Sequence, residues 1–295
     1  MTRTDHLLFW SLAAIWGSSF LFMRIAAPHL GAVFTAEGRV FCAWVVMALF
    51  FLLVRKPLPL RQHWRSLAFV GAFNSAVPFA LFSYAAIHLP AGYSAILNAL
   101  VPLWAAVFAW PLLGNQPHPR VLVAGLIAMA GTAIMVRLGP VQFTLETLLA
   151  ALACVAATAC YGISGVWAKR YLGDLPGYVT ATQSQLFAWL TLAPLLPLQA
   201  IPSSVPTSAL VAVLALGVLC SGVAYVIYFE LFRRMDAVKA STITFVVPLF
   251  AILWASVFLG ETLTWSMLGG FALVLCATAL VMQLGPFRPK SVPSA

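Results

Sequence analysis

The chain has 295 residues, 63% of them hydrophobic and only 8% charged, with a mean hydropathy of +1.00, whereas soluble domains carry about 25% charged residues. No water-soluble surface can be built from that composition. The net charge of +9 therefore reads as loop cations that orient a membrane protein, not as a nucleic-acid-binding face.

Mostly apolar runs of about 20 residues, enough to cross a ~30 Å hydrocarbon core at 1.5 Å per residue, recur along the chain. They lie near 6–27, 33–54, 65–87, 92–112, 119–137, 145–168, 177–198, 207–230, 238–259 and 264–282. The first follows only MTRTDH, but its apolar stretch is too long for a secretory leader, and it is expected to be retained. Unpaired backbone is not tolerated in lipid and the runs lack strand alternation, so the expected fold is all-α and polytopic, with ten transmembrane helices. Connections of about five to eleven residues leave no room for a soluble domain.

On the side shared by both termini, Arg3, Arg55, Lys56, Arg61, Arg65, Arg120, Lys169, Arg170, Arg233, Arg234, Lys239, Arg288 and Lys290 make 13 of the 16 Lys and Arg residues. Arg24, Arg39 and Arg137 lie on the other. The positive-inside rule then places both termini in the cytoplasm of a multi-pass protein of the cell inner membrane.

The sequence also repeats. Val101-Pro102-Leu103 aligns with Val247-Pro248-Leu249 at an offset of 146, and the register carries Leu113-Gly114 onto Leu259-Gly260 and Thr132-Ala133 onto Thr278-Ala279. Upstream, Gly31 meets Gly177 and Phe41 meets Phe187; a shift of one in the first helix pairs Gly17 with Gly162 and Ser19 with Ser164. Each copy holds five spans, an odd number, so the second enters from the opposite face. RKPLPLRQHWR after the second span is basic, while its counterpart QAIPSSVPTS after the seventh has no Lys or Arg. The expectation is two inverted repeats, 1–140 and 141–295, forming one membrane domain around a central cavity, a recurrent plan of secondary transporters.

Clusters of polar residues and rings within the spans mark where a small-molecule substrate could sit. The first span carries Trp16, Gly17, Ser18 and Ser19, and the sixth carries Tyr161, Gly162, Ser164 and Trp167. Asn74 and Pro78 lie in the third span, Tyr225 and Tyr228 in the eighth. Around the paired prolines stand Tyr93, Asn98 and Pro102 in the fourth span and Ser241, Thr244 and Pro248 in the ninth. Each proline removes a donor and frees the carbonyl four residues earlier, at Asn98 and Thr244. A freed carbonyl meets substrate or water, or a neighbouring hydroxyl closes it inside a packed kink. Small residues equally serve helix packing. Trp64, Trp110 and Trp265 fall at span ends, where interfacial anchoring is the default.

No carboxylate is central in a span. Glu37 and Arg39 sit one turn into the second, on different faces, with Glu37 expected to pair with Arg24. That pattern favours a facilitator or exchanger over proton antiport, and the expected hollow is uncharged, suited to zwitterionic or neutral molecules with an apolar part. The five cysteines lie in apolar spans without a C-x-x-C pair and read as core residues, and the five histidines lie at span ends. Without a protease, nucleotide or P-loop motif, an enzyme is not expected, nor any cofactor, nucleic acid or obligate protein partner.

W-G-S-S-F at 16–20, the paired proline and Leu-Gly segments, and F-L-G-E-T-L-T at 258–264 together resemble the drug/metabolite transporter superfamily, specifically its EamA-type exporters, over nearly the whole chain. Within that group the aromatic-rich spans are most similar to the aromatic amino acid exporters. The resemblance implies export of small amphiphilic metabolites, aromatic amino acids first, by alternating access. One departure is Gly114-Asn115 where the second copy has Gly260-Glu261. A proton-coupled drug exporter of the same fold and a non-transporting membrane scaffold remain the alternatives.

Overall fold

The computed structural model describes residues 2–59, 63–138, 142, 144–199, 204–234 and 243–282, with backbone alone at 135–138, 229, 232, 233 and 244. All regular structure among them is helical: α1 Arg3–Leu53, α2 Trp64–Gly71, α3 Val77–His88, α4 Ala91–Asn98, α5 Val101–Leu113, α6 Pro119–Leu138 and α7 Leu145–Tyr171. There follow α8 Gly177–Leu192, α9 Thr207–Leu214, α10 Ala224–Arg234, α11 Ile243–Leu259 and α12 Trp265–Val281. π-helical segments Ala72–Ala76 and Ala215–Val223 join α2 to α3 and α9 to α10, and a 3₁₀ segment, Ala193–Leu198, extends α8.

Five stretches of helix, counted across their kinks, are long and apolar enough to cross a membrane: Arg3–Leu53, Trp64–His88, Ala91–Leu113, Leu145–Tyr171 and Thr207–Tyr228. The longest is two rods. Gly31 has φ 78° and ψ 169°, a left-handed-side conformation that only glycine adopts without strain. Ala26 clusters with Val213, and a Cβ built on Gly38 would lie 2.5 Å from the same valine. Twelve residues of straight helix would separate those positions by about 18 Å, so the chain doubles back at Gly31. Gln199 closes the corner, accepting from Phe34 N at 3.3 Å and donating to the Leu30 carbonyl at 3.5 Å.

Small residues set the spacing between helices, as expected where lipid offers no hydrophobic contrast. A Cβ on Gly17 would lie 2.7 Å from Phe250 Cβ and 2.9 Å from Ala251 N; one on Gly162 would lie 2.6 Å from Trp104 Cβ and 2.8 Å from Ala105 N. These are the same contact in the two copies, since Trp104-Ala105 and Phe250-Ala251 align at the offset of 146. The outward surface is apolar instead of charged, with Leu52, Leu126 and Phe258 all more than half exposed. Trp64, Trp110 and Trp265 are exposed at or near helix ends, the position of interfacial anchors.

The paired prolines behave differently. Before Pro102 the helix breaks: α4 ends at Asn98 and α5 begins at Val101. The hydroxyl of Thr278 lies 2.8 Å from the Ala99 carbonyl and 2.8 Å from the Val274 carbonyl of its own helix, so it reaches the carbonyl next to that of Asn98. Pro248 lies inside α11, which runs on without interruption.

Candidate functional site

A cavity of about 610 Å³, within the ~300–1,000 Å³ typical of small-molecule sites, lies among α1, the π segments, α3, α4, α7, α8, α10 and α11. It reaches the α7–α8 connection at Leu172, Gly173 and Leu175. That is the end at which His63 Nε2 stands 3.3 Å from Asp174 Oδ2. Twenty-five helical residues after His63, the turn between α3 and α4 lies at the other end, and it is tied down. Arg24 Nη1 donates to the carbonyls of Ala86 at 2.6 Å and Ile87 at 2.9 Å. The Glu261 carboxylate accepts from Ala91 N at 2.9 Å and Gly92 N at 3.4 Å. A cation on the last carbonyls of α3 and an anion on the first amides of α4 both complement the helix dipoles.

Eight of the residues singled out by sequence line this cavity: Trp16, Ser19, Asn74, Asn98, Tyr161, Ser164, Tyr225 and Tyr228. The Gly-Ser-Ser notch divides its labour within one turn. Gly17 packs against α11, Ser18 Oγ donates back to the Ile15 carbonyl at 2.7 Å, and Ser19 faces the cavity. The hydroxyls of Ser19 and Ser164 are buried and have no hydrogen-bond partner among the described residues. Trp16 and Tyr228 stand with ring centroids 5.5 Å apart, Tyr161 stacks on Phe82 at 6.1 Å, and Asn74 Nδ2 donates to Tyr225 Oη at 3.2 Å. Asn74 and Ser221 both sit in π-helical turns, the irregular turns that often accompany function.

Other expected residues lie elsewhere. Pro78 and Tyr93 are buried in packing, and Pro102 and Pro248 shape their helices without reaching the cavity wall. Trp167 stacks between Phe69 at 4.2 Å and Tyr171 at 4.4 Å. Ser241 and the side chain of Thr244 lie outside the described residues. Met23, Phe79 and Ser184 line the cavity although nothing in their spacing marked them.

Two expectations about charge are corrected. Glu37 does not pair with Arg24, whose guanidinium is held by the α3 carbonyls; both Glu37 carboxylate oxygens are buried without a hydrogen-bond partner among the described residues. Nor is the hollow uncharged, because Arg39 lines it. Its guanidinium carbon lies 3.6 Å from the centroid of the Phe79 ring, and Nε donates to Ser221 Oγ at 3.1 Å. The guanidinium thus stands on the cavity wall although its backbone lies only eight residues past the corner at Gly31. Among the described residues no cluster of His, Cys, Asp or Glu could hold a metal ion.

Comparison with known proteins agrees with this architecture. A crystal structure 22% identical in sequence shares the fold, with a TM-score of 0.62 over 95% of this chain and 96% of that one. The chain is 26% identical to a probable terminal-alkyne amino-acid exporter of Streptantibioticus cattleyicolor, covering 94% of each. It is 26% identical to the protein PecM of Dickeya dadantii, covering 94% of this chain and 92% of the relative. It is 24% identical to the uncharacterized inner membrane transporter YedA of Escherichia coli K12, covering 96% and 93%. The family model for EamA-like transporters matches residues 5–137 and again 148–283. The chain thus belongs to the EamA-like transporter family, a family of membrane transporters.

Proposed function

We propose that this protein is a secondary transporter that exports small amphiphilic metabolites, aromatic amino acids first among them, across the cell inner membrane by alternating access. The observation that carries the reading is the cavity itself. Its wall combines the rings of Trp16, Tyr161 and Tyr228 with the unpartnered hydroxyls of Ser19 and Ser164, which offers stacking and hydrogen bonds to one molecule at once. The printed name of the Streptantibioticus relative, an amino-acid exporter, supports the substrate class.

The architecture that goes with this function is ten transmembrane helices in two inverted five-helix repeats, 1–140 and 141–295, with both termini cytoplasmic. In its favour stand the two separate family matches, the doubling back at Gly31, and the repeated contact at Gly17 and Gly162. With that orientation the cavity reaches the cytoplasmic end, and the turn clamped by Arg24 and Glu261 closes the outer end. Rocking the repeats about the cavity would reverse the two.

The test is a radiolabelled counterflow screen in proteoliposomes over amino acids and amphiphilic drugs. Exchange of phenylalanine or tryptophan, reduced at least about tenfold by Trp16→Ala or Asn98→Ala in protein that still purifies as a single species, supports the reading. Wild-type rates in both variants would mean that the cavity is not the path.

A second reading, a proton-coupled drug exporter, is favoured by one observation, the lone carboxylate of Glu37. Ala36 and Val40 beside it pack on Ala188 and Leu192, and α8 carries no Asp, Glu, Lys, Arg or His. A buried carboxylate in a span is costly unless paired, and such groups mark ion or proton pathways. Proton flux that scales with substrate flux and vanishes in Glu37→Gln would select this reading; substrate exchange without proton movement would select the facilitator.

A further inference from the structure

We infer that Arg39 is the anion-reading group of the cavity: it receives the carboxylate of the substrate and restricts the site to molecules that carry one negative charge beside an apolar or aromatic body. The inference rests on the reading of this cavity as the transport site.

Arg39 is 7% exposed, and its protein contacts occupy only part of a group with five donors. Nε is bound to Ser221 and one face lies on Phe79. Among the described residues Nη1 meets only the thioether of Met23, at 4.0 Å. The carboxylate of Glu37, two residues away on the same helix, has no hydrogen-bond partner among the described residues and so makes no hydrogen bond to Arg39. Among the described residues the cavity wall has no Asp, Glu, Lys or His, and Arg39 is its single formal charge. A buried cation without a counter-charge is unfavourable unless something else supplies the anion.

The other repeat shows that the fold does not need this charge. At the offset of 146, Arg39 corresponds to Gln185 and Ser221 to Ser75. Gln185 Nε2 donates to Ser75 Oγ at 2.8 Å, the same bond made by Arg39 Nε to Ser221 Oγ at 3.1 Å. An amide thus satisfies the helix contact, and the guanidinium is an addition on the side that faces the cavity. One fixed positive charge balances one carboxylate and leaves a phosphate dianion half compensated. The fork geometry of guanidinium also suits a carboxylate. The hydroxyls of Ser19 and Ser164 and the rings of Trp16 and Tyr228 remain for the rest of the molecule.

The experiment compares 3-phenylpropionate with its neutral amide, 3-phenylpropanamide, and with phenyl phosphate, as competitors of labelled phenylalanine counterflow and as ligands in thermal-shift titrations of the purified protein. In the wild type the acid should act at about tenfold to a hundredfold lower concentration than the amide, as a charge-assisted hydrogen bond predicts. In Arg39→Gln, which copies the solution of the other repeat, that ratio should fall to near one; in Arg39→Lys it should persist but shrink. A wild-type ratio near one, or a wild-type ratio retained by Arg39→Gln, overturns the inference, and phenyl phosphate acting more strongly than the acid overturns its restriction to a single charge. Should Arg39→Gln not fold, the wild-type ratio and Arg39→Lys decide the matter. Absence of phenylalanine counterflow combined with an intact acid preference in the thermal shifts would reject the proposed transport function and leave the role of Arg39 standing.

Discussion

The contact between Arg39 and Ser221 and the contact between Gln185 and Ser75 occupy matching places in the two sequence repeats, yet only the first places its side chain on the cavity wall. Gln185 is fully buried, and its amide is spent on Ser75 inside the protein. The difference teaches that the duplicated scaffold can satisfy this helix contact with a neutral donor, so a charge kept in one copy marks where the molecule meets something other than itself.

The sharpest way to break this comparison is to exchange the charge. Gln185→Arg would bury a guanidinium with neither a counter-charge nor a cavity, at a cost of about 3–5 kcal/mol; the expected outcome is loss of monodisperse protein in size-exclusion chromatography. Next come the contacts that both repeats share. Gly17→Ala and Gly162→Ala each push a methyl to within 2.7 Å of a side chain across a helix contact, and each should cost about 1–3 kcal/mol. Thermal unfolding should show similar losses for the two; a loss confined to one would mean that the repeats do not share this packing.

A finer test separates the serines. Ser75→Ala strips Gln185, whose Oε1 already lacks a partner, of its hydrogen bond, and should cost about 1–3 kcal/mol. Ser221→Ala leaves Arg39 on Phe79 and at the cavity, and its cost should be about 1 kcal/mol or less, with the acid-to-amide preference weakened. The smallest effect on stability is expected for Arg39→Gln, within about 1 kcal/mol of the wild type and on the stabilising side, since a buried unpaired charge is replaced by an amide that can keep the serine bond. A destabilisation as large as that of Gln185→Arg would show the charge to be structural.

Much of the fold and half of the site were legible in the sequence, for physical reasons that also explain the gaps. Apolar runs of bilayer length specify helices because lipid permits little else, and the notch at Trp16 to Ser19 announced itself because rings and hydroxyls together are costly against lipid. Arg39 escaped because its place near one end of its span says nothing of which neighbours its side chain meets, and those neighbours, Phe79 and Ser221, come from distant parts of the chain. The prolines misled in the opposite direction. A missing donor marks a carbonyl that needs a partner, but Thr278, from a distant helix, meets the Ala99 carbonyl, one residue beyond the expected Asn98. The π segments at Ala72–Ala76 and Ala215–Val223 carry no composition of their own that would separate them from ordinary helix.

The central claim is that a substrate lodges between the repeats with its carboxylate on Arg39. The most direct measurement is a crystal structure with 4-bromo-L-phenylalanine, located by the anomalous signal of bromine. The account predicts a peak among the rings of Trp16, Tyr161 and Tyr228, with carboxylate density about 3 Å from the guanidinium. A bound molecule elsewhere, or one in the cavity with its carboxylate turned away from Arg39, would contradict it.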